Sequence, residues 1–104
     1  MTLEKLYSIL KATGYPVAYS HFEVKTKLPF ITYLVDGSSN FFADNKVYKK
    51  IKNIKIELYT AEKNLEIEEN LERLLDENEI AYETDETWIE SEKLFQKIYE
   101  VELI

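Results

Sequence analysis

A chain of 104 residues with a net charge of −7 and no cysteine has room for one modest core, and it excludes a disulfide framework, a thiolate nucleophile and a cysteine-ligated metal. Apolar residues make up 45% of it, which argues against wholesale disorder, and no apolar run approaches the roughly 20 residues of a membrane-spanning helix. Met1-Thr2-Leu3-Glu4-Lys5 lacks the basic start and apolar middle of a signal peptide, so the expectation is a soluble protein of the cytoplasm.

Thr2 is placed to cap a first helix, with Glu4 in its first turn where an anion suits the dipole. Leu3, Leu6, Tyr7 and Leu10 then form one apolar stripe, Gly14 suits a left-handed helix end, and Pro16 prevents resumption. Pro16 to Phe22 reads as a strand and Glu23 to Pro29 as a loop. Phe30-Ile31-Thr32-Tyr33-Leu34-Val35 is a strand that Asp36-Gly37-Ser38-Ser39-Asn40 is expected to stop. After Phe41-Phe42-Ala43-Asp44-Asn45 comes a long strand candidate from Lys46 to Thr60.

That long strand changes parity. Val47 and Ile51 put the apolar side on odd positions, whereas Ile54, Ile56 and Leu58 put it on even ones. A strand has period two, so the buried face cannot change sides without a bulge or sharp twist. The break is expected at Lys52-Asn53, with 54–59 in the core sheet. The outer half, 46–51, would pair with 30–35 as an arm.

A second helix is expected from Asn64, a good cap, to about Asn78. Ile67, Leu71, Leu74 and Leu75 supply its apolar face; Glu66, Glu68, Glu69, Glu72, Asp76 and Glu77 crowd the remainder. Acid near its C-terminal end opposes the helix dipole, so packing of the leucines must outweigh that cost. Ile80 to about Glu90 reads as a strand with Ile80, Tyr82 and Trp88 on one parity. Glu90-Ser91-Glu92-Lys93 makes a turn, and Leu94 to Ile104 is the last strand. Its odd positions Phe95, Tyr99, Val101 and Leu103 face inward, with Lys97 the polar exception.

The expected order is α-β-β-β-α-β-β. This is an α+β two-layer sandwich with two helices on one face of a mixed, mainly antiparallel sheet. One domain spans 1–104, with a projecting hairpin or loop arm at about 30–51.

Chemistry is sparse. Two glycines are too few for a Walker or Rossmann phosphate cradle. His21 is the only histidine, and as a general base it would need a positioned carboxylate such as Glu23. Acids at helical spacing, Glu68 with Glu72, fit an ordinary solvated face, and Glu69 with Arg73 fits a surface ion pair. Asp85-Glu86 lacks the ligand spacing and glycine of a calcium loop. No catalytic, cofactor-binding or metal-ligating residue is assigned.

Charge is divided along the chain. Residues 1–60 hold nine lysines against five acids, +4, and residues 61–104 hold four basic residues against fifteen acids, −11. A solvated acidic helix beside a basic strand gives this split, and so do complementary faces for assembly. Lys46, Lys49, Lys50, Lys52 and Lys55 are interleaved with Tyr48, a pattern of nucleic-acid binders. The pI near 4.8 and the single arginine weigh against specific nucleic-acid binding. Phe30, Tyr33, Phe41, Phe42 and Tyr48 crowd the arm. They form an interaction surface, or else Phe41 and Phe42 fold back on the core.

Four stretches carry a family resemblance. They are Asn40-Phe41-Phe42-Ala43-Asp44-Asn45-Lys46-Val47-Tyr48, Ile54-Lys55-Ile56-Glu57-Leu58-Tyr59-Thr60, Asn64-Leu65-Glu66-Ile67-Glu68-Glu69, and Tyr82 through Trp88-Ile89-Glu90-Ser91-Glu92. The chain resembles tail terminator, or tail-completion (tail-to-head joining), proteins of long-tailed phages and prophages of Gram-positive bacteria. The resemblance implies a non-enzymatic virion assembly protein at the head–tail interface, present in the host cytoplasm during assembly. It implies a ring of identical subunits, typically hexameric, that contacts the tail tube protein and the head connector, with no membrane and no cofactor. By that analogy the intersubunit or tube contact falls on Phe41, Phe42, Asp44, Asn45, Lys46, Tyr48, Lys49 and Lys50. The charge division adds Glu69 and Glu72 as their complement. A head-completion (stopper) protein of the same gene cluster is the neighbouring alternative. A small acidic binding module, for instance an inhibitor of a basic protein, is the alternative from another class.

Overall fold

The computed structural model describes residues 1–39, 41–43 and 46–103, with backbone alone at 41–43 and 46–49. Its elements run α1 (Leu3–Lys11), β1 (Val17–Tyr19), β2 (Phe30–Ser38), β3 (Phe41–Ala43), β4 (Lys46–Lys49), β5 (Lys52–Thr60), α2 (Leu65–Glu77), β6 (Glu83–Ile89) and β7 (Leu94–Leu103). Five strands form one sheet in the order β1-β2-β5-β7-β6, parallel only between β1 and β2, and β3 pairs with β4 as a separate ribbon. This is the α+β class with a mixed sheet that the sequence predicts. The order differs because the long strand is two strands, β4 and β5, and because 41–43 forms a strand of its own.

Helix ends are set by the residues the pattern singles out. Thr2 Oγ1 accepts the Lys5 N–H at 3.1 Å, and Asn64 Oδ1 accepts the Ile67 N–H at 3.1 Å. Gly14, at φ +88°, follows the last turn of α1. The acid-rich end of α2 has no basic residue in its last turn. Asn78 Nδ2 donates to the exposed Leu74 carbonyl at 2.7 Å, and Leu71 and Leu75 are fully buried. Each buried leucine contributes about 1.5–3 kcal/mol, more than the dipole costs.

The core lies between the helices and one face of the sheet. Leu6, Ile9 and Leu10 of α1, with Leu71 and Leu75 of α2, meet Ile31, Tyr33, Ile54, Ile56, Leu58, Tyr99, Val101 and Leu103. Register makes this face continuous across strands, as in Tyr33–Ile56–Tyr99. The opposite face has no helix over it. There Phe30 stands between Phe22 and Tyr59, at centroid distances of 5.2 and 5.0 Å.

Four expectations are corrected. The Asp36-Gly37-Ser38 signal does not stop β2, which runs to Ser38. It makes a bulge between Val35 and Ser38, with Gly37 at φ +87°. A glycine at positive φ serves a turn and a bulge equally, so local sequence does not separate them. Second, residues 30–35 are no part of an arm, because they pair with 54–59 inside the main sheet. Residues 46–49 pair instead with 41–43, the nearer strand along the chain. The parity break falls at residues 50–51, where β4 ends and β5 has not begun. Third, Phe30 and Tyr33 belong to the core sheet and not to the arm. Fourth, two strands are shorter than expected. β1 ends at Tyr19, before Ser20 at φ +67°, and β6 begins at Glu83, beyond Glu79 at φ +56°.

Candidate functional site

The expected contact residues fall into two places. Phe41 and Phe42 on β3 and Lys46, Tyr48 and Lys49 on β4 come together in the ribbon, in the register Phe41↔Lys49, Phe42↔Val47 and Ala43↔Lys46. Asp44 and Asn45 lie outside the described residues. Lys50 follows β4 and is exposed. The ribbon's base is closed where the Ser39 N–H donates to the Ile51 carbonyl at 2.9 Å and Asn53 Nδ2 donates to Ser39 Oγ at 3.0 Å. Its two strands pair with each other and with no strand of the main sheet.

Glu69 and Glu72 are on α2, separated from the ribbon in sequence by β5. Glu69 is exposed. Glu72 is half-buried and accepts the Tyr99 hydroxyl at 2.7 Å. The expected Glu69–Arg73 ion pair does not form. Arg73 donates to Glu77 at 3.2 Å and to Asn70 Oδ1 at 2.9 Å. Asn70 is fixed by donating to the Thr13 carbonyl and the Tyr15 hydroxyl, which leaves its oxygen facing the guanidinium.

Glu68, expected on the solvated face, is buried at 4% exposure. Its carboxylate meets Lys63 at 2.9 Å and Lys97 at 3.5 Å, and Glu86 on β6 meets the same two lysines at 3.0 and 3.4 Å. Hydrogen bonding from Lys63 and then Lys97 holds the Glu86 carboxyl below the usual carboxylate range, and bonding to Glu68 and then Glu86 raises the Lys63 ammonium. Two sequence signals point here. Glu68 shares the helical spacing of Leu71 and Leu75, and Lys97 is the one polar inward position of β7. Opposite charges standing out on two facing apolar surfaces belong together.

On the open face, Glu57 accepts from Thr32 Oγ1 at 3.2 Å, Tyr59 OH at 3.1 Å and Gln96 Nε2 at 2.6 Å. Burial, with the Glu57 charge beside it, pushes the Tyr59 phenol up. Three neutral donors satisfy this carboxylate. His21 Nε2 lies 3.3 Å from Glu23 and its Nδ1 lies 3.2 Å from Ser20 Oγ, three exposed neighbours along one short stretch of chain. Among the described residues no three His, Asp or Glu side chains are grouped to hold a metal ion.

No family model matches the chain, and no curated protein matches it either.

Proposed function

We propose that this chain is a non-enzymatic virion assembly protein that caps the head-proximal end of a phage tail tube and joins it to the head connector. Identical subunits form a ring, typically hexameric, whose faces meet the tail tube protein and the head-completion or connector protein. It acts at the head–tail interface of the virion, after assembly in the host cytoplasm.

The observation that carries this reading is the ribbon. One stretch of the resemblance to tail terminators, residues 40–48, covers β3 and most of β4, which add no strand to the main sheet. An aromatic and basic sequence on a ribbon that joins no strand of the main sheet suits a contact surface. Deletion of the gene from its phage is the test. The expected result is filled heads beside unattached tails of irregular, often excessive length. Normal infectious particles overturn the reading, and tails of regular length beside emptied heads mark a head-completion protein instead.

A further inference from the structure

The last strand in the sheet order, β6, pairs with β7 on one side and with no other strand among the described residues. Six of its seven residues are exposed. Edge strands of this length are commonly blunted by lysine, proline or a bulge. Glu83-Thr84-Asp85-Glu86-Thr87-Trp88-Ile89 has neither lysine nor proline, and its register with β7 is unbroken. Threonine, tryptophan and isoleucine favour the strand state. The three acids of β6 guard this edge against like-charged strands and leave it open to a basic one.

Its charge says which strand. Glu83 stands directly opposite Glu100 on β7, a like-charge pair that costs stability. Glu83, Asp85, Glu100 and Glu102 share the open face by strand parity and form no ion pair among the described residues; Lys55, in register with Glu100, pairs with Asp36 instead. On α2, Glu68 is held by Lys63 and Lys97 and Glu72 by Tyr99, while Glu66 and Glu69 are exposed and in no ion pair among the described residues. A helix has no free backbone edge to pair, so the acids beside the open edge of β6 fit a basic strand better than α2 does. The chain contains such a strand in β4, Lys46-Val47-Tyr48-Lys49, followed by Lys50 and Lys52. A two-stranded ribbon is marginal in water and gains from a third strand.

We infer that β4 of one subunit adds to the free edge of β6 in a second copy of this chain. Backbone hydrogen bonding supplies the contact, and the lysines offset the acids that β6 and β7 leave unpaired. The two surfaces differ, so repeated use is heterologous and closes a ring or extends a filament. The closed ring rests on the proposed tail role; the strand addition does not.

The chain has no cysteine, so engineered thiols report this contact cleanly. Full-length Tyr48→Cys is mixed with full-length Thr84→Cys under mild oxidation at low salt, and in parallel with Glu69→Cys. The first mixture is expected to form the mixed disulfide on the order of tenfold faster than the second, because docking raises the effective concentration of the two thiols. Equal rates, or no mixed disulfide from the first mixture, overturn the inference. A charge swap gives a second reading. Lys46→Glu/Lys49→Glu and Glu83→Lys/Asp85→Lys should each lose crosslinking on self-mixing and regain it when mixed with each other. Circular dichroism checks that each variant is folded. A missing crosslink leaves the deletion phenotype, and with it the tail reading, untouched, and normal particles from the deletion strain leave the crosslink untouched.

Discussion

The Tyr99 hydroxyl on β7 donates to the Glu72 carboxylate on α2 at 2.7 Å, across the junction of sheet and helix. Tyr99 is fully buried, with its ring edge-on to Tyr82 at 5.5 Å, so one side chain fills the core and ties the two layers. Tyr99→Phe keeps the ring and removes the bond. It should lower unfolding free energy by about 1–2 kcal/mol, because Glu72 is half-exposed and can recruit water. Tyr99→Ala should cost about 3–5 kcal/mol through the cavity it leaves. Urea titration of the three proteins checks the order. Equal stability of Tyr99→Phe and the native chain would count against a structural bond.

The network of Lys63, Glu68, Glu86 and Lys97 should make stability fall at both pH extremes. Glu86 is held low in the folded state, so its contribution is present above about 4.3 and is lost as pH falls through the folded value. Lys63 is held high, so its contribution is present below about 10.4 and is lost as pH rises through the folded value. Glu86→Gln should therefore lower the melting temperature at neutral pH, and the difference should close in acid. Lys97, far less exposed than Lys63, should matter more. Lys97→Met is expected to cost about 1–3 kcal/mol, since it leaves Glu68 with one cation, and Lys63→Met under about 1 kcal/mol.

Caps and faces were legible because each uses a local rule. Thr2 and Asn64 cap by their own side chains, and the parity change between Val47–Ile51 and Ile54–Leu58 reports a break in the strand whatever the rest of the chain does. Partner choice was less legible. Whether 46–49 pairs with 30–35 or 41–43 depends on which strand β5 takes, a long-range matter that neither segment encodes. Of the candidate contact residues, those on β3 and β4 come together because the ribbon is local. Glu72 was read as free surface, since an acid on a helix looks the same in sequence whether or not a tyrosine from another layer reaches it.

Tyrosine ionisation offers an optical check on the core. Burial raises the phenols of Tyr33, Tyr59, Tyr82 and Tyr99, with neighbouring carboxylates adding to it at Tyr59, Tyr82 and Tyr99. A phenol held neutral in the fold but free to ionise when unfolded makes stability fall as pH rises above about 10. Absorbance near the phenolate band should thus show an early fraction of the eight tyrosines and a late fraction released with unfolding. Removing Glu57 by Glu57→Gln should move Tyr59 toward the ordinary value. Titration of all eight in one step, with the fold intact by circular dichroism, would contradict the burial of these rings.

Hydrogen exchange separates the ribbon from the sheet it leaves. Amides of β5 at 54–59 lie between β2 and β7, paired on both sides, so their exchange requires opening of the central sheet. Amides of β3 and β4 are paired only within a ribbon of two short strands, a unit with little stability of its own. In the isolated subunit, residues 41–43 and 46–49 should exchange far sooner than 54–59. Strand addition to β6 makes a further demand. When subunits associate, protection should rise along β4 and on the outward amides of 83–89, and the centre of β5 should change little. A rise confined to α2 around Glu69 would locate the contact on the helix instead. Protection in the ribbon equal to that of 54–59 before association would mean that it belongs to the core.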